Sequence, residues 1–165
     1  MNQEGFFEKI KKEAEENYAS IEKVFCPALK REVVFNSNGL KHVKFKHWNN
    51  PRSAEDQYLR LKFLKKASVI LEKSGTTQEY LECKNFERMR KNSRWERVLI
   101  NVKYYGFVAI LNIENGDPVK LKVIVKEISG SNPIFWSIFP FWKCQKNPLL
   151  GEIKKVFHDG DLETQ

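Results

Sequence analysis

The stretch Val119-Lys120-Leu121-Lys122-Val123-Ile124-Val125-Lys126 decides the fold class. Val119, Leu121, Val123 and Val125 take one parity; Lys120, Lys122 and Lys126 take the other. A period of two marks a β-strand with one buried face. Asn115-Gly116 and Asp117-Pro118 precede it as a strong turn signal. Upstream of that turn, Val98 to Asn112 is rich in β-branched and aromatic residues. Downstream, Ser129-Gly130-Ser131-Asn132-Pro133 is a second turn, and Ile134 to Trp142 is a last, apolar strand. Thr76 to Cys83 is a further strand candidate. Residues 84–94 (KNFERMRKNSR) are polar and basic and read as a loop.

Before Gly75 the period is 3.6. Phe7, Ile10, Ala14, Tyr18, Ile21 and Phe25 recur at steps of three and four, which predicts an amphipathic helix over about residues 3–25, stopped by Pro27. Val33-Val34-Phe35 is a short strand candidate. Asn36 to Gly39 supplies cap and turn chemistry for a short helix through Lys46. Ser53, with Asp56 three residues on, starts another helix. Leu59, Phe63, Ala67 and Ile70 form its apolar face up to Lys73, and Ser74-Gly75 closes it. Helices first, then a meander of strands, is an α+β arrangement. The expectation is helices packed on one face of a roughly four-stranded antiparallel sheet, with the lysine stripe on the other, partly open face. The chain divides into an N-terminal helix (1–29), a main domain (30–145) and a solvated tail (146–165).

The chain has 165 residues and a net charge of +8. At 41% hydrophobic and 13% aromatic it can bury a core. No apolar run approaches the ~18–20 residues of a membrane helix, and the charged N-terminus lacks a secretory h-region. Cys26, Cys83 and Cys144 are far apart and form no metal-finger spacing, which suggests reduced thiols in a cytoplasmic protein. The charge is uneven: residues 41–103 hold sixteen basic and seven acidic side chains, whereas residues 104–165 hold seven of each. Such a basic segment attracts a polyanion, nucleic acid above all, or is a solvated face that keeps the chain soluble.

Chemistry motifs are sparse. His42 and His47 are spaced i, i+5, which does not place both on one helical face. There is no phosphate-binding loop, dinucleotide fingerprint or nucleophile elbow. Neither a metal nor a cofactor is expected. One histidine in a basic setting, with arginines, lysines and polar sheet residues, is the kit of a metal-free ribonuclease. Histidine titrates near neutrality and suits proton transfer. Arginine's planar fork suits phosphate.

Four pieces together carry a resemblance: Val33-Val34-Phe35-Asn36 with Gly39-Leu40-Lys41-His42; Arg52 with Tyr58-Leu59-Arg60-Leu61; Tyr104-Tyr105-Gly106-Phe107-Val108-Ala109-Ile110; and Lys122 to Ile128 followed by Phe135-Trp136-Ser137-Ile138-Phe139-Pro140. In this order they resemble the phage-associated nuclease domains of the barnase–EndoU–colicin–RelE superfamily, over roughly residues 32–143. The resemblance implies a barnase/RelE-like fold, metal-independent RNA cleavage, and a setting among toxins or effectors of phages and mobile elements. RNA is then the expected partner, and a cognate inhibitor protein a candidate one. By position, His42, Arg60, Lys126 and Ser137 match the family's site. Lys46, Arg52, Tyr105 and Lys122 are candidate substrate contacts. The chain departs from the pattern at Asn132-Pro133-Ile134, where a basic residue or histidine is common.

Each residue also has a plainer reading. His42 would bond a carbonyl on a helix surface, and Arg60 would pair with Asp56 at i, i+4. Ser137 would pack as a small residue among aromatics. The whole domain would then be an RNA-binding module without turnover, or a protein-interaction domain docking through its N-terminal helix.

Overall fold

The computed structural model describes residues 3–47, 50–112, 118–147 and 151–156. The turn at Asn115-Gly116-Asp117, Trp48-Asn49 of the expected loop, and the C-terminal residues from 157 onward lie outside the described residues. The first helix, α1, spans Gln3–Ile21. The chain leaves it through Glu22 in the left-handed region (φ 58°) and enters β1 (Lys23–Cys26). Helix 3–25 is therefore corrected to a shorter helix and a strand. Val24 and Cys26 point inward at period two, while Phe25, expected on the helix's apolar face, is 55% exposed. A turn at 27–30 leads into β2 (Arg31–Val34), antiparallel to β1.

Helix α2 (Ser37–Lys44) is capped by Asn36, whose side chain accepts from the N–H groups of Asn38 and Gly39. Two short strands follow, β3 (Phe45–His47) and β4 (Asn50–Pro51). Helix α3 (Ala54–Phe63) starts at Ser53, which accepts from the Asp56 N–H at 3.2 Å. A 3₁₀ turn at Leu64–Lys66 separates it from α4 (Ala67–Lys73), so the single expected helix is two. Five strands complete the fold: β5 (Glu79–Lys91), β6 (Arg94–Asn112), β7 (Pro118–Ile128), β8 (Ile134–Asn147) and β9 (Gly151–Val156).

The α+β class stands, but the sheet is mixed and larger than four strands. Its order is β1-β2-β8-β7-β6-β5, with β9 also pairing to β8. The β2–β8 pair is parallel (Val34 opposite Ile134) and the others are antiparallel. β9 lies inside 146–165, the stretch read as a tail.

The basic stretch 84–94 is not a loop. It forms most of β5, the turn and the first residue of β6 in a long hairpin, with Lys84 opposite Asn101 and Lys91 opposite Arg94. Asn92 and Ser93 both hold positive φ (48° and 65°), the geometry a tight hairpin turn requires. Charged side chains on the exposed parity hid the strand signal.

The helices cover one face of the sheet. There Val119, Leu121, Val123 and Val125 are fully buried, together with Val33, Leu71 and Phe107. Phe35 stacks on Phe135 (4.9 Å, 7°), and Tyr18 of α1 meets both rings. The N-terminal helix is thus part of the same core. Gly39 is enclosed at this junction: a Cβ there would fall on the Phe135 carbonyl and the Tyr18 hydroxyl. Gly39→Ala is therefore expected to destabilise the fold by about 1–3 kcal/mol through overpacking, read from the urea midpoint.

The opposite face is not open. Register shifts at Lys120/Leu121 and Ile124/Val125 accompany a curl of the sheet. A second apolar cluster fills the curl: Val102, Tyr104, Ile124 and Phe139, with Trp136 and Phe141 against them. Lys122 and Lys126 are 2% and 5% exposed, which corrects the surface stripe. Their ammonium groups lie over aromatic rings, Lys122 Nζ over Phe141 (4.7 Å) and Lys126 Nζ over Trp136 (4.2 Å), and meet carboxylates, Lys122 with Glu79 (2.7 Å) and Lys126 with Glu87 (2.6 Å). Among the described residues, no helix is long and apolar enough to cross a membrane.

Candidate functional site

Helices α2 and α3 both pack against β8. On β8, Phe135 pairs with Val125 and Ser137 with Ile124, so Trp136 between them is the extra residue of a bulge. His42 of α2 stacks on the Trp136 indole (4.2 Å, 22°). Lys126 Nζ lies 4.2 Å from the centroid of the same ring.

Two arginines frame this pair. Arg52 Nε donates to the His42 carbonyl (3.0 Å), and Arg52 Nη1 donates to Asp56 Oδ2 (3.2 Å). Arg60 Nε donates to Asp56 Oδ1 (2.7 Å), and Arg60 Nη1 donates to Ser137 Oγ (2.5 Å). The Arg60 guanidinium also lies over Phe139 (4.9 Å). One carboxylate thus holds two arginines, at the i, i+4 spacing of a helix start. All five of His42, Arg52, Arg60, Lys126 and Ser137 are buried.

The pairing is incomplete. Arg52 Nη2, Arg60 Nη2, His42 Nδ1 and Trp136 Nε1 are buried and have no hydrogen-bond partner among the described residues. Buried polar groups are ordinarily satisfied, and an orphaned one costs about 1–3 kcal/mol. Three of these atoms are N–H donors, two of them on cations, and donors of that kind bind anionic oxygens.

The electrostatics follow from the same contacts. Burial, with Arg52, Arg60 and Lys126 nearby, pushes the His42 imidazole down to about 2. The ring is neutral at physiological pH. Contact with the Trp136 backbone partly opposes this, and Nδ1 is buried without a partner among the described residues. With the proton on Nε2, Nδ1 would present a lone pair. Burial also lowers Arg60, to about 10, with Arg52 adding to the effect and Asp56 opposing it. Burial alone would raise Asp56, but Arg60 and Arg52 together hold it below the usual carboxylate value.

Five residues named from the sequence thus converge: His42, Arg52, Arg60, Lys126 and Ser137. Lys122 stands four positions along β7 from Lys126 and pairs with Glu79 instead. Tyr105 faces the helix side, where its hydroxyl donates to Glu127 (2.9 Å). Tyr104 is the tyrosine beside Lys126 (5.9 Å). Lys46 is exposed on β3, outside the buried cluster.

Three members were not legible in these roles. Asp56 had signals only as a capping residue and as a partner of Arg60, although Arg52-Asp56-Arg60 spacing was there to read. Trp136 reads as core. Glu87 falls in the stretch read as a loop. Among the described residues, no three His, Cys, Asp or Glu side chains gather to hold a metal ion. No family model, no curated protein and no solved structure matches the chain.

Proposed function

We propose that the chain is a metal-independent endoribonuclease acting from the His42–Arg60–Ser137 cluster. The observation that carries this reading is the set of unpartnered groups on Arg52, Arg60, Trp136 and His42. The three donors suit the non-bridging oxygens of a phosphodiester, and the Nδ1 lone pair suits the 2′-hydroxyl proton. In the proposed step, His42 Nδ1 takes that proton and the 2′-oxygen bonds to phosphorus. The bond to the 5′-oxygen breaks, and Lys126 supplies the proton to the leaving oxygen. The products are a 2′,3′-cyclic phosphate and a 5′-hydroxyl. Arg52 and Arg60 stabilise the charge gathering on phosphate, with Ser137 positioning Arg60. The setting as a phage or mobile-element toxin in a reducing cytoplasm rests on the resemblance and the cysteine spacing alone.

One observation favours a second reading, an RNA-binding module without turnover. The cluster is buried, and Lys126 is already engaged by Glu87. Incubation with RNA in EDTA separates the two. Cyclic-phosphate ends are expected with the wild type, and a rate at least ten-fold lower with Arg60→Lys, which keeps the charge but loses the fork. Salt-sensitive binding with no new ends would leave only the second reading.

A further inference from the structure

The β5–β6 hairpin runs beyond the rest of the sheet. β7 pairs with β6 only from Val102 onward, so the eight residue pairs from Lys84–Asn101 to Lys91–Arg94 form a two-stranded arm. Eight pairs span about 24 Å. The arm's two faces differ. The inner parity carries Asn85, Glu87 and Met89, and Glu87 reaches in to Lys126. The outer parity carries Lys84, Phe86, Arg88 and Arg90 from β5, and Trp95, Arg97 and Leu99 from β6, all exposed. Between Lys84 and Asn101 this outer face bears no carboxylate.

Phe86 and Trp95 are each 61% exposed, and they alternate with the cations. Arg97 lies over the Phe86 ring (5.9 Å) and Arg88 over the Trp95 ring (5.4 Å), each across the two strands. Each of these exposed aromatics comes paired with a guanidinium. Bases stack on aromatic faces and on guanidinium planes, and arginine donates to phosphate. A contiguous apolar patch would suit a protein partner; here Phe86 has Leu99 opposite it, and Arg88 and Arg97 separate that pair from Trp95.

We infer that the outer face of this arm binds single-stranded RNA, with bases stacked at Phe86 and Trp95 and phosphates held by Arg88, Arg90 and Arg97. This site lies apart from the buried cluster, and binding there needs no turnover.

The full-length chain is titrated into a fluorescent, short 2′-O-methyl oligouridine, which has no 2′-hydroxyl to attack. Anisotropy is read at several salt concentrations. Phe86→Ala with Trp95→Ala is expected to weaken binding about ten-fold or more. Arg88→Gln with Arg97→Gln is expected to flatten the slope of log K against log salt by about 1.4, and the corresponding lysine pair to keep it. In parallel, 4-thiouridine RNA is photo-cross-linked to the unmutated chain and mapped by mass spectrometry, with cross-links expected between residues 84 and 101. Unchanged affinity and slope in well-folded variants, or cross-links confined to other segments, overturn the inference. So does a pair of arm variants that lose only phosphatidylserine-vesicle binding and keep RNA binding. Cleavage of ordinary RNA is scored separately, so failure of the nuclease reading does not register here.

Discussion

Asp56→Asn is expected to destabilise the fold by about 3–5 kcal/mol, because it strands two buried cations at once. Arg52 and Arg60 have side chains 1% and 0% exposed, and Asp56 is the carboxylate that meets both. Without it their mutual repulsion is uncompensated in a low-dielectric site. Urea unfolding measures the loss as a lowered midpoint at unchanged slope. The pH dependence gives a second check. Arg60 and Arg52 hold the Asp56 carboxyl below its usual range against the opposing effect of burial. Its contribution is therefore complete above the unfolded carboxyl value and is lost as pH falls through the lower, folded value. Wild type and Asp56→Asn should converge in stability in strong acid. A midpoint change worth less than about 1 kcal/mol would show that water or rearrangement shields the arginines.

On the proposed nuclease reading, His42→Ala should lower RNA cleavage by about 10²–10⁴, the range for a lost general base. His42→Phe keeps a ring on Trp136 and should fail equally in cleavage while retaining the fold. The pH profile carries the distinctive signature. In the free protein the imidazole is held down to about 2, by burial first and then by Arg52, Arg60 and Lys126. A bound phosphodiester offsets those cations and raises His42. The acid limb of kcat, which reports the complex, should then lie at higher pH than that of kcat/KM, which reports the free enzyme. Stability obeys the same linkage. The unfolded histidine takes up its proton near 6.5 and the folded one only near 2, so stability is complete above 6.5 and falls as pH drops through that window. The slope approaches about 1.4 kcal/mol per pH unit, and His42→Phe should remove it. Coincident acid limbs would exclude this histidine as the base.

The sequence was most legible where one signal acted alone. The alternation in Val119–Val125, the Asn36 and Ser53 caps and a short helix after Asn36 follow from period and capping chemistry, although that helix ends at Lys44 and Phe45–Lys46 open β3 instead of continuing it. What failed were places where burial contradicts composition. Lysines on a strand read as a solvent face, yet Lys122 and Lys126 lie inside because the sheet curls and their ammonium groups find aromatic rings and carboxylates there. The arm read as a loop because its outer residues are charged, although its inner parity and the Asn92-Ser93 turn make it a hairpin. For the site, His42, Arg60, Lys126 and Ser137 were identified through resemblance, and they lie in one cluster. Asp56 and Trp136, which organise that cluster, depend on long-range packing of α2 and α3 against β8, which local pattern does not encode.

The Lys126–Glu87 ion pair joins the arm to the buried cluster, and it has a thermodynamic consequence. An anion that recruits Lys126 competes with Glu87 for the same ammonium group. Occupancy of the cluster and the Lys126–Glu87 contact then share one free energy, and the exchange is reciprocal. Whatever weakens that contact makes Lys126 more available by the same factor that a bound anion weakens the contact. Gripping a strand and admitting its phosphate would be two ends of a single balance.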